Sequence, residues 1–181
     1  GAVLMAGFGW PCTAALALLA LLFGLHNPLL TVSLSAAINL LPTLMVRRGR
    51  YDLSLGTMFG FVAAIQPALL VYMLTGHPWQ MEGHMYFFVG LAALTLLCDW
   101  RPIAAAVGFI AVHHLLFSYL APEWVFIGSG DLARVMVHAL AVSLVLGLTG
   151  PVMVHMAKLF VEQSNARASS EASAASAREA L

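Results

Sequence analysis

From Pro102 to Leu120 the chain runs for about twenty residues without Asp, Glu, Lys or Arg, the length a helix needs to cross the hydrocarbon of a bilayer. Apolar segments of this kind recur over residues 5–25, 29–46, 55–75, 84–98, 102–121 and 132–156, and only the fourth is short for a span. Hydrophobic residues make up 61% of the chain and charged residues 9%, against roughly 45–50% and 25% in soluble domains. The expected fold class is all-α: an integral membrane bundle of six transmembrane helices, the last continuing into a cytoplasmic helix. Residues 1–158 form the transmembrane domain and 159–181 the start of that cytoplasmic helix, with no room for a separate catalytic domain.

The distribution of Lys and Arg sets the orientation. Arg47, Arg48 and Arg50 follow segment two, Arg101 lies between segments four and five, and Lys158, Arg167 and Arg178 follow segment six. By the positive-inside rule these seven are cytoplasmic, and so are both termini, leaving Arg134 at the outer face. Trp10, Trp100, Trp79 and Trp124 sit at segment ends, two per interface, as an aromatic belt predicts. The zero net charge and the lack of a basic block exclude nucleic acid as a partner. Cys12 and Cys98 fall in separate spans without metal-type spacing. The first apolar segment reads as a retained helix, not a cleaved signal, while Gly1 and Leu181 read as cuts from a longer chain.

After Lys158 the composition turns to Ala, Ser, Glu and Arg with neither Gly nor Pro. Such a stretch favours a helix that continues segment six and needs a partner, expected to be a second copy of the chain; a disordered linker is the competing reading.

Six of the seven histidines then fall in the outer half of the membrane. His26, His77 and His84 lie at the outer ends of segments one, three and four, while His113, His114 and His138 lie about 10–12 Å deep. His155 alone sits near the inner face. An ionisable side chain at membrane depth is costly and marks a functional site with a partner to be named. Facing histidines in a bundle core build cofactor and metal sites. Successive helical residues point about 100° apart, so His113 and His114 do not aim at one centre. Arg134 lies one turn before His138, where haem propionates would want a cation. Small residues at Ala104, Ala105, Ala106, Gly108, Ala111, Ala139 and Ala141 leave room for a flat macrocycle.

The elements Gly76-His77, Met81-Glu82-Gly83-His84-Met85-Tyr86, Asp99-Trp100-Arg101-Pro102, Ile110-Ala111-Val112-His113-His114 and Val137-His138-Ala139, with His26-Asn27-Pro28 upstream, carry a family likeness. Over residues 20 to 160 the chain resembles the multi-pass sensor region at the N-terminus of some bacterial methyl-accepting chemotaxis proteins, with Tyr86 where those sequences often have another histidine. The resemblance implies a bacterial inner-membrane sensor, signalling in chemotaxis or energy taxis. Its implied partners are a cytoplasmic signalling domain, absent from this chain, and the chemotaxis kinase complex.

Joined to the histidine depths, the expectation is a homodimeric sensor, not an enzyme, that binds b-type haem and responds to a diatomic gas or to redox state. Its axial ligands come from His113, His114, His138 and His84, with Arg134 at the propionates. The alternative keeps the sensor but binds copper, zinc or iron directly through His26, His77, His84, His113, His114 and His138, with Glu82 as a further ligand. A small quinone-linked cytochrome b is the alternative from another class; a transporter is disfavoured because no polar path reaches the inner face.

Overall fold

The structure, a computed structural model, describes residues 1–128 and 131–179. It is 86% helical, with no strand among the described residues. Five helices are long and apolar enough to cross a membrane: α1 (Ala2–Phe23), α2 (Pro28–Arg47), α3 (Leu53–Met73), α6 (Trp100–Leu120) and α7 (Leu132–Glu179). Between α3 and α6 lie a single turn, α4 (Gln80–Gly83), then α5 (Met85–Leu94) and a 3-10 turn over Thr95–Leu97. The expected fourth segment, 84 to 98, is therefore divided, and no single helix in it reaches span length. Ten residues of α5 rise only about 15 Å.

Local chemistry explains the boundaries. α1 ends at Gly24, whose left-handed backbone (φ 58°) returns its N–H to the Ala20 carbonyl. Pro28 opens α2, where its missing N–H leaves nothing unpaired. Asp52 caps α3 by accepting the Leu55 N–H at 3.0 Å, and Asp99 caps α6 by accepting the Arg101 N–H at 3.0 Å. The guanidinium of Arg101 grips the same carboxylate from Nε and Nη2 at 2.7–3.0 Å. Pro11, Pro42, Pro67 and Pro151 lie inside helices without ending them.

α3 is the central element. In its apolar window 61% of residues are buried, against 17% in α1 and in α7, and it packs against α1, α2, α5 and α6. Phe59, Ala64, Leu91, Leu94, Ile103, Ala106 and Ile110 fill the space between these helices. Two glycines allow the close approach: a side chain at Gly60 would run into the Pro102 carbonyl, and one at Gly90 into the Ala63 carbonyl. A chain of polar side chains ties the first three helices together. Asn39 donates to the Gly9 carbonyl and to Thr13 Oγ1, both at 2.8 Å, Thr13 meets Ser35 at 2.6 Å, and Ser35 donates to Gln66 Oε1 at 2.9 Å. In a lipid-facing bundle such bonds are worth about 0.6 kcal/mol each.

α7 runs unbroken for 48 residues, about 72 Å. Val135, Val142 and Met153 bury against the bundle, whereas every described position from Glu162 to Arg178 is exposed. Ala180 and Leu181, the last residues of the expected cytoplasmic helix, lie outside the described residues.

Candidate metal centre

Two helices and the turn between two others each deliver one histidine to the same point. His84 stands at the junction of α4 and α5, His114 belongs to α6 and His138 to α7. In each, Nδ1 lies against the carbonyl one turn earlier: Gln80 at 3.0 Å, Ile110 at 2.9 Å and Arg134 at 2.8 Å. A carbonyl oxygen only accepts, so Nδ1 carries the proton and donates, and the lone pair is left on Nε2. Outer hydrogen bonds of this kind hold ligating histidines in tautomer and orientation.

One nitrogen from each of the three rings lies within 4.8 Å of the other two. His84 and His114 are buried, and the Nε2 of each has no hydrogen-bond partner. Unpaired polar atoms in a dry interior are costly, and lone pairs that converge make a site for a cation. Imidazoles bound to one metal at about 2.0–2.1 Å hold their nitrogens roughly 3.3–3.6 Å apart, so modest inward movement closes the triad on an ion.

Aromatic rings wall the site. Phe126 stacks on His84 with centroids 5.7 Å apart and planes 6° apart, and it lies 5.8 and 5.5 Å from His114 and His138. Phe87 packs 5.2 Å from His114. Gln80, almost fully buried, donates from Nε2 to the Glu123 carbonyl at 2.8 Å and so fixes the loop after α6 to the turn that carries His84. Phe126, Phe87 and Gln80 escape a reading of the sequence, because nothing in their spacing joins them to the histidines; the one available signal is the apolar Val125-Phe126-Ile127 in a loop.

The other expected site residues are elsewhere. His113 is excluded from the triad; its ring packs among Phe109, Phe117 and His114 at 6.1, 5.0 and 5.3 Å, and its buried Nδ1 is unpaired. His26 is exposed, pairs with Asn27 at 2.9 Å and abuts Tyr72. His77 accepts the Trp79 N–H at 3.2 Å. His77 and the exposed Glu82 line a separate apolar cleft of about 520 Å³ between α1, α3 and α5. Arg134 places its guanidinium carbon 5.1 Å over the Phe126 ring and reaches the Ile127 carbonyl at 3.4 Å.

The charged groups at the far end of the bundle are held differently. The Ser54 hydroxyl and the Arg50 guanidinium keep the Asp52 carboxyl well below the usual range, and the Arg101 guanidinium lowers that of Asp99. Comparisons with protein-family models, with curated proteins and with solved structures find no match.

Proposed function

We propose that the chain is the membrane-embedded sensor region of a bacterial signalling protein, in which His84, His114 and His138 hold a metal ion and α7 carries the resulting movement inward. The observation that carries this is the convergence of three histidine rings, one nitrogen of each within 4.8 Å of the others, with each Nδ1 against a carbonyl one turn earlier. The third of these ligands stands on the helix that continues 41 residues past it to Glu179. A ligand-dependent shift at His138 therefore has a rigid lever to act on, as switching by small helix displacements requires.

The direct metal is favoured over haem. A haem iron leaves only two positions to the protein, on opposite faces of the porphyrin. Here three imidazoles contact one another, with centroids 5.4–5.7 Å apart, and Phe87 and Phe126 cover them. The small residues of α6 do not outline a slot either, since Ala106 is packed in the core and Gly108 is exposed.

The membrane assignment is a six-span bundle in the bacterial inner membrane, with both termini cytoplasmic. Gln80 to Leu97 supply about eighteen residues, roughly 27 Å, for the divided fourth crossing. The end of the bundle bearing Arg47, Arg50 and Arg101 would be cytoplasmic, and the end bearing His26, His77 and Trp79 external. The chain acts as a homodimer through the exposed part of α7, and its output passes to a chemotaxis kinase complex through a following signalling domain.

The test is an optical spectrum of the detergent-purified protein, as isolated and after dithionite, with metal analysis of the same sample. One metal per chain without a Soret band is expected, and His84→Ala, His114→Ala and His138→Ala should each release it. A Soret band with one iron per chain would replace the direct metal by haem; neither signal would reduce the histidines to hydrogen-bonding structure.

A further inference from the structure

If the triad is a metal site, its surroundings also select the charge of the ion. Among the described residues, no Asp, Glu or Cys joins His84, His114 and His138 within the 4.8 Å group. All three ligands are neutral, because each imidazole keeps its proton on Nδ1 against a carbonyl. A fixed positive charge stands beside the site: Arg134, seated over the Phe126 ring that packs on the histidines, while the acidic Glu82, two residues before His84, is exposed and lines the separate cleft.

Moving an ion from water to an apolar interior costs a free energy that grows with the square of its charge, so a dication costs about four times as much as a monocation. Arg134 repels the dication twice as strongly. Zinc held by three imidazoles completes its tetrahedron with water or hydroxide, and that fourth ligand needs room and polar partners. Phe126 lies against all three rings and Phe87 against His84 and His114, so carbon lines the buried side of the triad. A three-coordinate monocation needs neither an anionic ligand nor a fourth position, and imidazole is a suitable donor to copper. We infer that the site is built for Cu(I) in preference to Zn(II) or Fe(II), with His84, His114 and His138 as its complete ligand set.

The experiment uses the purified full chain in detergent, stripped of metal and kept anaerobic. Cu(I) is offered as its complex with a chromogenic Cu(I) chelator, and Zn(II) and Fe(II) are offered alone and in competition. The expected result is one Cu(I) per chain drawn from the chelator and not displaced by an equal concentration of Zn(II). X-ray absorption should then give three nitrogen ligands at about 2.0 Å and no fourth. His114→Gln and the half-buried His138→Gln should lose the extraction, whereas His77→Ala, in the separate cleft, should keep it. Stable retention of one Zn(II) or Fe(II) per chain that Cu(I) does not displace would overturn the selectivity and leave the metal site standing. Binding of no metal at all would overturn both, and Cu(I) uptake unchanged in both glutamine variants would overturn the ligand assignment.

Discussion

Gln80 shows how much a histidine of the proposed site owes to a residue outside the triad. Its carbonyl receives the Nδ1–H of His84, while its side chain is anchored on the Glu123 carbonyl across the loop that brings Phe126 over the site. Gln80→Leu keeps the volume and the backbone carbonyl but frees that loop. The group that hydrogen-bonds a ligating histidine, here the Gln80 carbonyl, typically contributes about 10–100-fold in metal affinity, and loosening its support should reach the lower end of that range. The variant should weaken binding by about tenfold with the stoichiometry unchanged, measured by competition with a chelator; unchanged affinity would mean that the loop does not hold His84. His114 itself was legible only as one of a pair. The 100° step separates it from His113, but α6 is apolar on all sides, and no contrast in the sequence tells which face is inward. The answer comes from Ile103, Val107 and Ile110, buried at helical spacing on the face that His114 continues.

At the scale of elements, the sequence locates the long helices to within a few residues because their apolar runs are long and sharply bounded. The apolar lengths give the segments, and the structure then fixes their ends at Gly24, Pro28, Asp52 and Asp99. The division of the fourth segment was not legible, since the break at His84 falls inside a continuous apolar run, and the packing of Gly90 on the Ala63 carbonyl joins residues far apart in the chain. The caps also predict a response to acid. A carboxylate whose folded-state pKa lies below its unfolded value stabilises the fold above the ordinary carboxylate range, and loses that effect as the pH falls through the depressed value. Asp99 is lowered by Arg101, so its contribution should be intact above about pH 4 and decline below it. Asp99→Asn should be less stable than the parent at neutral pH and converge on it toward pH 2, read as thermal unfolding in detergent. Parallel curves for the two proteins would show that the pair does not support the fold.

In the whole molecule, α1, α2 and α3 are tied by the Asn39–Thr13–Ser35–Gln66 chain, while the ligand set belongs entirely to the elements that follow. A fixed half thus faces a half that an ion can tighten. Drawing His138 toward His114 moves α7 against α6 by about 1 Å, the size of displacement that helix-based switches use. With Cys12 and Cys98 replaced, spin labels on Leu96→Cys and Val161→Cys, both exposed sites, should report a change in separation when metal is removed by chelation. His138→Gln should abolish the change; the same distances with and without metal would sink the lever. The placement of the ligands on three successive elements has one more consequence, which concerns the making of the protein. Synthesis releases His84 first, His114 next and His138 last, so the coordination shell does not exist until α7 has been inserted. An ion held by the proposed site would be acquired only once α7 is in place, and its presence would mark an assembled molecule.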